Sequence, residues 1–426
     1  MATKTNTFLH NFFHLSLLRT ISHILPLIST PFLIKAIGVN AFGILELSKA
    51  ITMYFTTFVC YGFRYAATKQ ITVHQQDKGR IGQIISSIYF IQLIFIVISA
   101  LVMWGMIRFV PQVQSNAIYL VNFFPIVITS GLFPTFIFQG INMMRSLVAI
   151  NLGAKLLFLG SVLFFIHAPA DAIWFPRFLA GIDFFRLLVS LLVLYGYKGI
   201  PFKYPLVSIM KQQLKEGSNI FFSQLATLFY ARFPITFLGL FVSTEAVGIY
   251  TLGEKITKAT EGMLEPAMQA LYPISHSQLE KNLYQGLRYL RRFCKTGFAI
   301  LLGVGVIYFV FADFIMWLFL KGQHIPEAVQ VFKIQAFIAA IMLLHNVLGL
   351  HVLIPLKKGY LYTAAILLTG LVAVCLHLIL IPKFATQGAA SAIVLSELFT
   401  LLLVAISAYR TVKKARLKNN DTTPSI

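Results

Sequence analysis

Four long apolar runs decide what this chain can fold into. "GILELSKAITMYFTTFVCYGF", "IISSIYFIQLIFIVISALVMWGMI", "TGFAILLGVGVIYFVFADFIMWLFL" and "AAILLTGLVAVCLHLILI" each approach or exceed the roughly 20 apolar residues that cross a bilayer. Continuous runs favour helices, because the strands of a membrane barrel alternate apolar and polar residues. Only 12% of the 426 residues are charged, about half the share in a soluble domain. The sequence therefore predicts an all-α, polytopic membrane protein.

Clusters of Pro, Gly and Asn divide the apolar sequence into spans. Examples are "HAPAD", "YKGIPFKYP" and "IPKFATQG". No cleaved signal peptide is expected, because Arg19 and His23 interrupt the first apolar run, which we interpret as a retained helix. We predict twelve transmembrane helices, at 12–35, 42–63, 81–107, 117–141, 147–167, 172–195, 217–241, 246–271, 295–319, 328–354, 360–381 and 387–409.

The Lys and Arg residues between these spans are asymmetric. One face carries most of them, whereas the other carries only Lys35, Arg108, Lys321 and Lys383. Because positive loops stay in the cytoplasm, both termini are expected there. The net charge of +21 is then explained by topology and by attraction to anionic lipid headgroups, with no nucleic acid required.

An internal repeat relates the two halves of the chain. "FLIKAIGVNAFGILELSKAIT" (32–52) and "FLGLFVSTEAVGIYTLGEKIT" (237–257) align without a gap, and Gly43 matches Gly248. The repeat predicts two pseudo-symmetric six-helix bundles, with the same orientation in the membrane, around a central cavity. We expect the first bundle over 1–203, the second over 204–410, and a basic cytoplasmic tail over 411–426.

The stretch "LGEKITKATEGMLEPAMQALYP" (252–273) is unusually charged for a span. Glu254, Lys258, Glu261 and Glu265 share one stripe of the predicted helix, which indicates a water-filled cavity. Glu254 and Lys258 have the favourable order for an ion pair one turn apart. Glu261 and Glu265 form a like-charged pair. Together with Glu254, they are the candidates for ion coupling. The alternative is that the helix projects into cytosolic water and its charges are solvated.

Other charged residues also fall within predicted spans, where a charge is costly unless it faces protein or water. Lys49 has an alternative interpretation as half of a local pair with Glu46, three residues earlier. Asp183 and Arg186 are interpreted as a structural pair. The cations expected to bind an anionic substrate in the cavity are Arg19, Lys49, Arg177, Arg232 and Lys258.

Chemical motifs are scarce. His167, His345, His351 and His377 are scattered singly, and packing is the better interpretation of each. No nucleotide-binding loop, metal-ligand cluster or nucleophile motif is recognisable. We therefore predict no catalytic residue, no metal and no cofactor.

The sequence "FLIKAIGVNAFGILELSKAITMYFTTFVCYGFRYAATKQI" (32–71) resembles the start of bacterial O-antigen flippases. These are polysaccharide-exporting members of the multidrug/oligosaccharidyl-lipid/polysaccharide transporter superfamily. The matching features are the turn with Gly38 and Gly43 and the run from Tyr61 to Ile71. The passage "LILIPKFATQGAASAIVLSELFTLLL" is also similar to that family.

The resemblance implies a flippase that moves undecaprenyl-diphosphate-linked O-antigen oligosaccharides from the cytoplasmic to the periplasmic leaflet of the bacterial inner membrane. Alternating access, with or without ion coupling, is the implied mechanism. The implied partners are this lipid-linked oligosaccharide and membrane lipids, with the O-antigen polymerase and chain-length regulator as further candidates.

Two alternatives remain open from the sequence. A cation- or proton-coupled drug exporter of the same fold would line its cavity with acids and aromatics, whereas the charges within the spans here lean modestly to the basic side. A membrane enzyme of polysaccharide assembly would carry a large periplasmic loop, and the predicted outer loops here are short.

Overall fold

A computed structural model describes the backbone of residues 2–420 and the side chains of residues 25–415 and 417, Tyr197 excepted. The predicted cavity residue Arg19, like His23, therefore lies outside the residues whose side chains are described. Over this range the chain is helical and forms no strand. The helices are α1 (Ala2–Cys60), α2 (Phe63–Val73), α3 (Lys78–Phe109), α4 (Pro111–Gln114), α5 (Ala117–Leu132), α6 (Thr135–Gly140), α7 (Met144–Phe165), α8 (Trp174–Leu191), α9 (Val207–Phe241), α10 (Thr244–Lys281), α11 (Leu283–Val310), α12 (Ala312–Phe319), α13 (Pro326–Gln335), α14 (Ile338–Leu348) and α15 (Gly359–Asn420).

Nine helical segments of the described chain are long and apolar enough to cross a membrane. Two of them each correspond to more than one predicted span: Leu25–Val73 includes the last part of 12–35 and all of 42–63, and Gly359–Ala415 includes 360–381 and 387–409. Helix α10 is not among the nine, and it is the helix that carries the charged stripe. The all-α, polytopic membrane fold is thus confirmed, and the count of twelve spans stays a prediction.

Two breaks in backbone geometry divide the longest helices where the sequence predicts boundaries between spans. Gly38 in α1 has φ 78° and ψ 168°, a region that only glycine occupies without strain. Ala385 in α15 has φ 45° and ψ −119°. The first break separates the predicted spans 12–35 and 42–63, and the second separates 360–381 and 387–409.

The chain up to Gly248 forms one compact unit. Within it, α1 packs along α3, α5, α7 and α9. A cluster of buried apolar side chains that includes Phe63, Ile84, Ile137 and Phe138 holds α2, α3 and α6 together. Helix α9 therefore packs within this unit.

The chain from Ile249 onward forms the second compact unit. Its apolar core joins α10, α11, α14 and α15 through buried residues such as Leu271, Leu290, Leu343 and Val404. The division into bundles at 1–203 and 204–410, with a tail at 411–426, stays a prediction.

The glycines matched by the internal repeat meet inside the first unit. A methyl group on Gly43 would overlap the backbone carbonyl oxygen of Thr244, and one on Gly248 would overlap that of Val39. Val39 and Thr244 are themselves matched by the repeat, so the contact is reciprocal. The hydroxyl of Thr244 also donates a hydrogen bond to the side chain of Asn40. Only glycine permits backbones to approach this closely.

We predict that Gly43→Ala and Gly248→Ala each destabilise the protein. The added methyl group must push two backbones apart, and overpacking of this kind costs about 1–3 kcal/mol. Thermal unfolding of the purified protein in detergent measures the effect. Gly105→Ala and Gly153→Ala are the controls, because nothing lies within 4 Å of a methyl group at either position. Equal melting temperatures in all four variants would contradict the close contact.

Candidate functional site

The charged stripe of α10 contains a partly buried ion pair. Lys258 Nζ donates to a carboxylate oxygen of Glu261 over 2.9 Å. The Glu261 side chain is only 9% exposed, whereas that of Lys258 is 49% exposed. The sequence predicted Glu254 as the partner of Lys258, and the structure pairs the lysine with Glu261 instead. The pair thus buries its acid, while about half of the Lys258 side chain is accessible.

Glu254 lies among polar side chains of α10 and α13. Glu254 is 8% exposed. The Tyr250 hydroxyl faces both the Glu254 carboxylate and Gln335. Thr257 donates a hydrogen bond to Gln335 Oε1 over 3.1 Å, and Gln335 Nε2 is buried with no hydrogen-bond partner. Glu254 thus has neutral polar neighbours on α10 and α13, and its charge also acts on Lys258 and Glu261.

A histidine and a glutamate that the sequence did not identify as a site lie in the same unit. His345 Nε2 on α14 is 3.0 Å from a carboxylate oxygen of Glu397 on α15, and their side chains are 8% and 12% exposed. The Glu397 charge acts on both Lys258 and Glu261. His345 is thus buried, as the packing interpretation expects, and it also has an acidic partner that the sequence did not predict. We call Glu254, Lys258, Glu261, His345 and Glu397 the acidic cluster.

The acidic cluster contains more acids than bases. Three carboxylates share one lysine and one histidine, so the positive groups do not fully compensate the negative ones. Such a group can take up and release a proton. In the described part of the chain, no three His, Cys, Asp or Glu side chains are placed to hold a metal ion.

The third predicted coupling residue, Glu265, has a different environment. Its carboxylate accepts a hydrogen bond from Gln269 Nε2 over 3.2 Å, at an exposed position. It lies one turn beyond Glu261, whose direct partner is Lys258. The coupling role of Glu254, Glu261 and Glu265 stays a prediction.

Two predicted cations of the first unit differ in their surroundings. Arg232 on α9 interacts electrostatically with the hydroxyl of Tyr54 on α1. The Tyr54 hydroxyl is 3.4 Å from that of Thr236. Lys49 Nζ is 3.5 Å from the carboxylate of Glu46, so the local pair considered for Lys49 does form. Arg232 thus faces polar groups of another helix, whereas Lys49 has an acid on its own helix.

Arg177 has partners that the sequence did not reveal. Its Nε donates to Asn122 Oδ1 on α5 over 2.9 Å. Its guanidinium lies 4.9 Å from the centre of the Trp174 ring, within the range of a cation–π contact. These contacts orient Arg177 without neutralising its charge.

The predicted pair of Asp183 and Arg186 also forms, at 3.3 Å. Arg186 Nη1 donates to Asn151 on α7 over 2.9 Å, and its guanidinium lies 4.2 Å from the centre of the Phe133 ring. Because these contacts tie α8 to α7, the pair is a structural feature of the first unit.

The fold is that of a known class of membrane transporter. The chain superposes on a multidrug resistance MATE family transporter of the MOP superfamily, solved in an inward-facing conformation, with a TM-score of 0.72. The match covers 96% of this chain and 100% of that chain at 14% sequence identity, so it shows the fold alone.

The family follows from the sequence match. The family model described as polysaccharide biosynthesis protein matches residues 8–278, which is more than half of the chain, so this chain belongs to that family. It is 24% identical over 400 residues to a provisionally named O-antigen transporter of Escherichia coli (strain K12), covering 93% of this chain and 95% of that protein. A protein of Shigella dysenteriae with the same name is 22% identical, covering 95% and 99%. The resemblance predicted from the sequence is confirmed.

We predict that Lys258→Gln lowers the stability of the protein more than Lys333→Gln does. Losing Lys258 leaves the buried Glu261 carboxylate without its cation, and an unsatisfied buried polar group costs about 1–3 kcal/mol. Lys333 is a matched control, because its partner Asp313, at 2.8 Å, is 59% exposed and exposed pairs contribute about 0–1 kcal/mol.

Melting temperatures in detergent at neutral pH measure both effects. Adding Glu261→Gln to Lys258→Gln removes the unpaired charge and should restore much of the lost stability. If Lys258→Gln costs no more than Lys333→Gln, the Lys258–Glu261 pair does not stabilise the second unit.

Proposed function

We propose that this protein is a flippase that moves undecaprenyl-diphosphate-linked O-antigen units from the cytoplasmic to the periplasmic leaflet of the bacterial inner membrane. The observation that carries the proposal is the match, over nearly the whole length of both chains, to two provisionally named O-antigen transporters. In this proposal both termini lie in the cytoplasm, as the distribution of Lys and Arg predicts.

The diphosphate is the part of the substrate that does not cross the bilayer unaided. It carries negative charge through an apolar layer, and Arg and Lys side chains bind phosphate oxygens through charge-assisted hydrogen bonds. We propose that Arg232 and Lys258 attract it, assisted by Arg19, Lys49 and Arg177. The half-exposed side chain of Lys258 supports this role, because a charge within a span needs water or a counterion. The polyprenyl chain stays in the bilayer.

We propose that the acidic cluster couples this movement to a proton. The Lys258 ammonium has two partners in this proposal. It pairs with Glu261 over 2.9 Å, and it is also a proposed phosphate ligand. A proton on Glu261 removes the negative charge that competes with the diphosphate for Lys258. Proton binding and substrate binding then strengthen each other, so the protonation state of Glu261 biases the transport cycle.

We predict that Arg232→Gln combined with Lys258→Gln slows flipping by at least about tenfold, because each lost charged hydrogen bond contributes roughly 1.5–3 kcal/mol. The purified protein is reconstituted in liposomes with a fluorescent undecaprenyl-diphosphate oligosaccharide. A membrane-impermeant reductant then destroys the fluorescence of the outer leaflet, and the loss of the protected fraction reports flipping. Lys281→Gln, an exposed change at the end of α10, is the control.

Two results would overturn this function. Folded protein that flips no lipid-linked oligosaccharide, yet binds a cationic dye at micromolar concentration, would identify a drug exporter of the same fold. Equal flipping by the double variant and the wild type would exclude Arg232 and Lys258 from the substrate path while leaving the flippase function in place.

We predict that Glu397→Gln and His345→Gln each abolish the acceleration of flipping by a pH gradient that is acidic on the side from which the substrate is taken, and leave slow flipping without a gradient in place. Both changes remove a proton-binding group from the acidic cluster. His276→Gln is the matched control, because His276 pairs with Glu280 at 3.3 Å on the same helix as Lys258 but with side chains 39% and 68% exposed. A wild-type protein that ignores the pH gradient would exclude proton coupling altogether.

A further inference from the structure

A groove opens at one end of the second unit, and the function proposed above does not use it. Its volume is about 760 Å³. The wall on one side is α11 and on the other is the last part of α15, while Leu348 and Val352 contribute apolar surface from α14 and the turn that follows it. The groove lies wholly within this unit.

Small residues of α15 give the groove its depth. Ala405 and Ala408 both line it, and they lie three residues apart on one face of the helix. Their methyl groups leave the space that a larger side chain would fill. The surfaces of Leu348, Val352 and these two alanines offer an apolar slot rather than a polar site.

Two exposed cations line this groove. Arg291 of α11 and Lys413 of α15 both line the groove, and both residues are exposed. Neither forms an ion pair with any carboxylate among the described side chains. Their charges are therefore available to an anion from outside the chain.

Tyr284 and Tyr409 complete the rim, at 44% and 69% exposure. Tyrosine suits the boundary between headgroups and hydrocarbon, because its ring is apolar and its hydroxyl is polar. Arg288, Arg292 and Lys414 are close in sequence to the two rim cations. By the same distribution of positive charge that orients the chain, this end faces the cytoplasmic leaflet, which carries the anionic lipids.

We propose that the groove binds one anionic phospholipid of the cytoplasmic leaflet. Its phosphate lies between Arg291 and Lys413, and one acyl chain lies against Leu348, Val352 and the two alanines. Two unpaired cations above an apolar slot match the two parts of such a lipid. A resident phospholipid is favoured over the polyprenyl substrate because bulk lipid is far more abundant, so mass action fills the groove with it. The proposal does not depend on which substrate the protein transports.

Native mass spectrometry of the delipidated full-length protein, titrated with phosphatidylglycerol, tests this proposal. We expect Arg291→Gln combined with Lys413→Gln to weaken binding of the first lipid at least about tenfold. Arg292→Gln combined with Lys414→Gln is the matched control, since it removes the same charge from neighbouring exposed positions that do not line the groove. Ala405→Leu fills the slot and keeps both cations, and we expect it to weaken binding as well. Melting temperatures establish that each variant is folded.

Competition identifies the ligand. Zwitterionic phosphatidylethanolamine and inorganic phosphate should fail to displace phosphatidylglycerol at equal concentration. Displacement by inorganic phosphate would overturn the proposal in favour of a simple anion site, and preferential displacement by undecaprenyl phosphate would overturn it in favour of a substrate site. Equal weakening by the control pair, or unchanged binding by Ala405→Leu, would show that lipid binds by general surface charge and not in the groove.

Discussion

The cost of holding a carboxylate away from water is the constraint on which the second unit depends. The Glu261 side chain is 9% exposed, and a buried charge is tolerated only when a partner and hydrogen bonds compensate it. Helix α10 supplies Lys258 one turn before Glu261, while α14 and α15 bring His345 to within 3.0 Å of Glu397. The packing of these helices therefore has to satisfy charge as well as apolar contact. A change that repacks α14 against α15 would also alter the electrostatics of α10.

The first unit meets a different constraint, which is close approach of backbones. Gly43 and Gly248 contact Thr244 and Val39 reciprocally, so the internal repeat is visible in the structure as a shared mode of packing. The chemistry of the two copies is not shared, because Lys49 aligns with Glu254. Lys49 pairs with an acid on its own helix, whereas Glu254 lies among neutral polar groups. The two copies of the repeat thus share backbone packing but differ in the charge and partners of the aligned residues.

Much of the fold could be predicted because hydropathy and glycine act locally. The apolar runs correspond to the observed helices, and the break at Gly38 has a backbone geometry specific to glycine. The partner of Lys258 could not be predicted, because Glu254 and Glu261 both lie within one turn and the choice depends on α13, which places Gln335 beside Tyr250 and Thr257. His345 and Glu397 lie on different helices, and a single histidine in an apolar run carries no local pattern that reveals its partner.

In the proposed mechanism, Lys258 links proton and substrate because a single ammonium cannot neutralise two anions fully. If protonation of Glu261 strengthens diphosphate binding by some factor, thermodynamic linkage requires that bound diphosphate strengthens proton binding by the same factor. Releasing either one therefore favours releasing the other. The half exposure of Lys258 beside a buried acid suits this arrangement, since the ammonium can reach a ligand without leaving its helix. A fully buried lysine would stabilise Glu261 but could not exchange partners.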